Sequence, residues 1–326
     1  MDNLTHTAIG LFLSRAGLNR LTPLATPILL VAANIPDIDV VSAGGGALTY
    51  LEYHRHLTHS LIAMPVMALL AVALVRAVWR KPVRWAGAMV AATIAVASHL
   101  LLDLTNIYGI RLYLPFSARW LRLDLTNVFD IWIWAVMLLA VAAPFLGRLV
   151  GSEITSGSGK TPNHGRGFAW FALLFVLLYN CGRGVLHERA LAVLGARVYQ
   201  DATPKRIVAG PDGFNPWLWR GVAETDDFFA VADVDLHREF DPARAAILHK
   251  PEADPAIDAA RADPVFARFL RFPQMTLWRV SPAPQPEGAK TVEAVDVRFG
   301  FMAGAVVTNR LQVLDAYFKF GRPRPR

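Results

Sequence analysis

The feature that most constrains this chain is a polar stretch lodged between apolar runs. Residues 34–60 read NIPDID, then a Gly-rich link, then EYHRHLTHS, with hydrophobic sequence on either side. Pro36 stops the preceding helix and pins Asp37 and Asp39 two residues apart. His54, His56 and His59 follow, the last two sharing a face if that segment is helical. Two carboxylates and three imidazoles between hydrophobic segments are hard to explain as packing. Ionisable groups at membrane depth are costly, and where they occur they usually mark a site. The stretch reads as the heart of a metal centre.

Its surroundings read as a membrane protein. The 54% hydrophobic content and mean hydropathy of +0.35 are high for a soluble chain, and the apolar blocks fall in the first 190 residues. Residues 4–34 read as a helical hairpin that dips into the bilayer and returns, bringing Asp2 and His6 to the surface of Asp37 and Asp39. A single kinked span is the alternative, and it would put His6 on the opposite side. Four spans follow at about 61–79, 85–104, 129–146 and 168–187. A polar Gly/Ser-rich loop around Lys160 separates the last two. From 191 to 326, short β-rich patches (Phe228–Val234, Thr276–Val280, Val292–Phe299, Leu311–Phe320) alternate with Pro/Gly/Asp turns. Asp241–Phe269 reads as one or two short helices. The fold class expected is therefore a polytopic α-helical membrane domain followed by a soluble α+β domain.

The formal charge of +7 does not call for nucleic acid, because many of the basic residues sit in clusters flanking apolar runs and no basic–aromatic groove pattern appears. Arg15, Arg20, Arg76, Arg80, Lys81, Arg84, Arg148, Lys160 and Arg166 collect on one side of the spans; Arg55, Arg111, Arg119 and Arg122 collect on the other. The first side should be cytoplasmic. The metal centre and the C-terminal domain then face outward from the inner (cytoplasmic) membrane, towards the periplasm in a Gram-negative cell. The lone Cys181 excludes an internal disulfide framework, and no cleavable signal pattern opens the chain. Trp79, Trp85, Trp120, Trp132 and Trp134 fit an interfacial belt better than a substrate-lining set. PWLWRGV (Pro216–Val222) reads equally as a buried aromatic core or as a cover over the site.

A second signal lies at the outer end of the span over 85–104, in SHLLLDLTN. His99 and Asp103 are four apart and project from one helical face, where they can ligate a metal or orient one another. Taken together, THxxxG around His6, NIPDID, HRxxTHS and HLLLD followed by Gly109 and LPFS resemble the YdjM-type family of membrane-bound metal-dependent hydrolases, over about residues 1–150. More distantly, the order His, Asp, His, His-xxx-Asp is similar to the zinc phospholipase C and P1 nuclease group, although a second His-xxx-Asp/Glu pair is not evident. His56 stands where relatives usually carry a small residue.

The expected metal ligands are His6, Asp37, His59, His99 and Asp103, with Asp39 bridging two ions or acting as general base. His54 is a candidate acid or further ligand. Arg55 suits a phosphoryl oxygen through its fork of donors, or equally a lipid headgroup. Asp130 is a candidate partner of a ligand, and Asp124 and Asp2 weaker ones. Imidazole plus carboxylate suits Zn²⁺, with Mn²⁺ as the alternative, and a metal-activated water would be the nucleophile. The expected substrate is an ester or phosphoester at the membrane surface, with membrane lipids as partners. The rival readings are a membrane metal-binding or transport protein and a scaffold whose soluble domain binds a partner.

Overall fold

The computed structural model describes residues 1–154 and 164–320; most of the Gly/Ser-rich loop, Lys160 included, lies outside them. The chain forms two compact units that are interleaved in sequence. One holds Met1–Asp39, Arg55–His187 and Pro211–Pro216; the other holds Val40–His54, Glu188–Gly210 and the chain from Trp217 onward.

The first unit is helical. Helices α1 (Asn3–Ala16) and α2 (Ala25–Ala32) are joined by a tight turn. Asp2 caps α1, accepting from the amides of Leu4 and Thr5, as an acidic N-cap should. Ser14 meets Thr26 at 2.7 Å and Asn34 meets Thr7 at 2.9 Å, so the two helices run antiparallel and return His6 to the level of residue 34. After Ala33 the chain tightens into 3-10 turns over Ile35–Gly45, where Pro36 has no amide for an α-helical ladder.

Helices α4 (Met64–Trp79) and α5 (Trp85–Leu104) pack with α2 around Ile28, Leu29, Ala68, Ala91, Ala95 and Val96. Helices α6 (Ile131–Ile154) and α7 (His164–Gly195) close a second cluster with α1 around Ile9, Phe12, Ile133, Met137, Ala169 and Ala172. These seams are rich in alanine and glycine, which let helix backbones approach closely in an apolar solvent. A Cβ on Gly10 would lie 2.8 Å from the Leu29 carbonyl oxygen, and one on Gly87 would lie 2.2 Å from that of Leu21. Both contacts are with backbone, which cannot swing aside.

The outer faces carry exposed Leu69, Leu74, Ile94, Leu101, Leu139, Leu174 and Leu178, a surface suited to lipid. Among the described residues, α5 and Gly165–Gly195 are long and apolar enough to cross a membrane, and up to four spans result if each of two bent helix pairs counts as one. At 16 residues, α4 measures about 24 Å, short of a hydrocarbon core of roughly 30 Å. Trp79, Trp85 and Trp132 are about half exposed, in keeping with interfacial indoles.

The second unit contains two four-stranded antiparallel sheets, each in sequential order. The first is β1 (Arg206–Pro211), β2 (Leu218–Glu224), β3 (Phe228–Asp235) and β4 (Ala246–His249); the second is β5 (Thr276–Pro282), β6 (Lys290–Asp296), β7 (Met302–Val307) and β8 (Val313–Lys319). Both sheets contribute to one core through Val208, Val222, Phe229, Met275 and Leu277. Trp219 is fully buried while Trp217 is exposed, so PWLWRGV gives one of its two tryptophans to the core.

Helices α8 (Pro255–Arg261) and α9 (Pro264–Phe269) occupy only the end of the segment expected to be helical. Its first third instead carries a 3-10 turn and β4, because Ile247 pairs with Ala230 on the edge of the first sheet and tertiary pairing overrides an Ala/Arg-rich local preference. Asp254 caps α8 and accepts from Lys290 Nζ at 2.6 Å; the lysine hydrogen bond and the Ala256 amide hold its carboxyl below the usual range. The short helix α3 (Ala47–Tyr53) also belongs here. Both carboxylate oxygens of its Glu52 are taken, by Arg268 Nε at 2.7 Å and Arg271 Nη1 at 2.6 Å, while Arg268 Nη2 donates to Thr49 Oγ1 at 2.9 Å.

The helix seams yield a direct test. Gly87→Ala and Gly10→Ala should each destabilise the detergent-solubilised protein by ~1–3 kcal/mol through overpacking, whereas Gly167→Ala, with nothing within 4 Å of the added carbon, should be neutral or slightly stabilising. Thermal unfolding followed by circular dichroism reads the order; a Gly87→Ala protein as stable as the wild type would contradict the seam.

Candidate metal centre

Four side chains from three segments converge in the helical unit. Asp37 comes from the 3-10 turns after α2, His59 from the 3-10 turn Leu57–His59, and His99 and Asp103 from successive turns of α5. Their inward atoms are mutually close. His59 Nε2 lies 3.4 Å from Asp37 Oδ1, 3.3 Å from Asp103 Oδ2 and 3.1 Å from His99 Nε2. His99 Nε2 lies 3.6 Å from Asp37 Oδ1 and 3.4 Å from Asp103 Oδ2. A tetrahedral ion bound at about 2.0–2.1 Å to nitrogen and oxygen requires donor–donor edges of about 3.3–3.4 Å. These five edges lie between 3.1 and 3.6 Å, close to that value, and the four side chains form a group that could hold a metal ion.

The surrounding groups fix the donors' orientation. His99 Nδ1 lies 2.7 Å from the Ala33 carbonyl oxygen. A carbonyl only accepts, so the proton sits on Nδ1 and the Nε2 lone pair faces the centre. His59 Nδ1 faces Asp39 Oδ2 at 3.3 Å and Thr58 Oγ1 at 3.0 Å, a carboxylate–histidine arrangement of the kind that orients metal ligands. Asp39 Oδ2 also accepts from the Arg55 amide at 2.8 Å and Thr58 Oγ1 at 3.1 Å. Arg55 reaches that amide position with φ 56°, a left-handed conformation uncommon outside glycine.

The remaining oxygen of Asp103 faces cations. Oδ1 accepts from Arg55 Nη2 at 3.0 Å and pairs with the Met1 amino group. Oδ2, on the donor side, has no hydrogen-bond partner, as expected of an atom reserved for a metal. His59, His99 and Asp103 have no solvent exposure and Asp37 has 9%. Two carboxylates in so dry a setting need compensating charge.

Most of the expected site residues meet here. His6 stacks on His99 with ring centroids 3.8 Å apart, and its Nε2 lies 3.4 Å from Asp103 Oδ1. It therefore borders the centre without joining the four-donor group. Asp39 stands behind His59. Arg55 is 3% exposed, and its guanidinium is taken up by Asp103 and by Asn106 Oδ1 at 2.9 Å; a buried group so engaged is no anchor for lipid headgroups. His54 lies in the other unit, stacked on Tyr50 at 4.6 Å. His56 precedes the 3-10 turn whose end carries His59, so the two do not share an α-helical face.

Asp130 is turned to another purpose. Its Oδ1 caps α6 by accepting from Trp132 and Ile133, and its Oδ2 accepts from Tyr179. Asp124 pairs with Arg122, and Asp2 caps α1. Sequence reasoning missed Asn106, which holds Arg55 and accepts from the Tyr108 and Gly109 amides. Its place three residues after Asp103, where α5 ends, was the available signal.

Exchanging Asp39 for Asn should leave the four donors in place yet loosen His59. Zinc affinity is expected to fall by ~10–100-fold, the usual effect of losing a ligand's orienting partner, against loss of stoichiometric zinc in His99→Ala. Competition with a chromogenic chelator measures both; unchanged affinity in Asp39→Asn would remove it from the site.

The chain is 25% identical over 297 residues to the uncharacterized protein YfhP of Bacillus subtilis (strain 168), covering 86% of this chain and 82% of YfhP. No solved structure matches, so the likeness to zinc phospholipases C and P1 nucleases rests on the order of ligands alone. The YdjM inner membrane protein family matches residues 1–190, which hold every residue of the four-donor centre, and the chain belongs to that family.

Proposed function

We propose that this protein is a membrane-bound, metal-dependent hydrolase that cleaves an ester or phosphoester presented at the membrane surface. The observation that carries the reading is the convergence of Asp37, His59, His99 and Asp103, with donor spacings that fit a tetrahedral divalent ion. A Zn²⁺ ion held by these four donors would have to expand to a fifth position to take a water, and would then lower the pKa of that water towards neutrality.

The chain's own residues divide the remaining work. Asp39 and the Ala33 carbonyl hold His59 and His99 with Nε2 towards the centre. Arg55 neutralises the far oxygen of Asp103 and holds that carboxylate in one orientation. Asp37, the donor with some exposure, stands where a reacting group can approach. A transport pathway would spread its ionisable groups through the depth of the membrane; these donors gather at one point, which favours chemistry over conduction.

Purified protein should carry about one zinc per chain, as a four-donor site holds, and should hydrolyse some member of a panel of carboxyl- and phosphoesters. Asp103→Asn and His99→Ala should lose metal and hydrolysis together. His237→Ala, an exposed residue of the other unit, should retain both. Equal metal content in the wild type and both centre variants, measured on folded protein, would overturn the reading.

The orientation proposed places the metal centre outside the inner membrane. In a Cys181→Ser background, an impermeant maleimide added to intact cells (spheroplasts for a Gram-negative host) should label Gly44→Cys and spare Lys81→Cys. The reverse pattern would turn the site to the cytosol.

A further inference from the structure

Pro211–Pro216 lie between β1 and β2 in sequence yet belong to the helical unit. Their backbone is fixed to the start of α6. The Ile131 amide donates to the Gly213 carbonyl oxygen at 3.1 Å, Trp132 Nε1 donates to that of Phe214 at 2.9 Å, and Arg183 Nη1 donates to that of Pro216. A Cβ on Gly213 would stand 2.6 Å from the Phe129 carbonyl oxygen, so glycine is what lets the loop come this close. Asp212 Oδ1 turns the chain by accepting from the Phe214 and Asn215 amides at 2.8 and 2.7 Å.

This turn holds out Phe214, which is 74% exposed, beside the exposed Phe129, Ile131 and Trp132. The surface so formed is carbon. The phenyl rings carry no polar atom, and the one N–H of the indole is spent on the Phe214 carbonyl oxygen. A contiguous apolar patch of this kind marks contact with a membrane or another protein.

Helix α6 decides between them. Ile131, Leu138 and Phe145 recur every seven residues, as do Trp132 and Leu139, so they form one stripe, and all five are exposed. The patch is therefore the upper end of a lipid-suited helix face. The apolar stretch Ile131–Phe145 measures about 22 Å, short of a hydrocarbon core of roughly 30 Å. Phe129 and Phe214 prolong the stripe past the first turn of the helix, where the boundary between chains and headgroups takes aromatic rings. The same end carries the metal centre, because Trp134 Nε1 donates to Asp2 Oδ2 at 3.1 Å and the adjacent Met1 amino group pairs with Asp103.

We infer that the loop Pro211–Pro216 is a membrane anchor, which seats Phe214 with Phe129 and Trp132 in the headgroup–acyl boundary of the bilayer at the metal-centre end of α6. The anchor is independent of the reaction at that centre. It ties the turn between two strands of the C-terminal sheet to the lipid surface.

The test uses the full-length protein, one chain per phosphatidylcholine nanodisc, with a tracer phosphatidylcholine bearing a diazirine near the top of one acyl chain. Light should crosslink the tracer to the peptide spanning residues 211–216 and to the α7 peptide that holds the exposed Leu174 and Leu178, and should spare the peptide that holds His237. Phe214→Gln should lose labelling at 211–216 and keep it in α7, which shows that the variant is folded and inserted. Phe214→Trp should label as the wild type does.

An unlabelled 211–216 peptide beside a labelled α7 would overturn the anchor, as would equal labelling in Phe214→Gln or at His237. Repeating the reaction in vesicles crowded with protein tests for a second copy: loss of labelling at 211–216 there, with α7 still labelled, would assign the patch to contact between chains and overturn the anchor as well.

Discussion

The helical unit depends on one electrostatic constraint: two carboxylates, Asp37 and Asp103, share a nearly dry space with His59 and His99. Burying such charge without compensation costs more than a hairpin of apolar helices returns, so the site must supply cations. Asp103 solves half of this with Arg55 and the Met1 amino group on Oδ1. The other half, Oδ2 against two imidazole nitrogens and Asp37 Oδ1, is a donor set that could hold a metal ion. The rest of the unit brings these groups together. The hairpin returns His6, the break after Ala33 frees a carbonyl oxygen for His99, and the end of α5 sets Asn106 against Arg55.

Close backbone approach makes that convergence possible. Gly10, the glycine of the THxxxG pattern, sits against the Leu29 carbonyl oxygen. Without a Cβ there, α1 can close on α2 and carry His6 to van der Waals distance of His99. The motif's histidine and glycine thus serve one purpose from two sides. The same logic places Thr58 in HRxxTHS, where its hydroxyl bridges Asp39 and His59.

How far the sequence disclosed this architecture follows from range. Helix periodicity and the i, i+4 spacing of His99 and Asp103 are local, and so were visible. The order of donors around the centre is not local. Asp39 reads in sequence as the twin of Asp37, yet a two-residue step on tight turns sends one carboxylate to the four-donor centre and the other behind His59. Arg55 reads as a surface cation because nothing nearby in sequence reveals Asp103 and Asn106, about 50 residues on. In the C-terminal unit, β4 was hidden because its strand character comes from pairing with β3 and not from its own composition.

The interleaving of the two units bears on what the C-terminal part is for. The chain leaves the metal-centre unit after Asp39 and returns at Arg55; the residues between them belong to the other unit, where Glu52 is clamped by Arg268 and Arg271. The backbone amide of Arg55 then bonds the carboxylate of Asp39. Both ends of the excursion therefore meet at the group that orients His59. The alignment with YfhP spans 297 residues and necessarily runs past residue 190, where the family match ends. The likeness to YfhP therefore extends into the C-terminal unit.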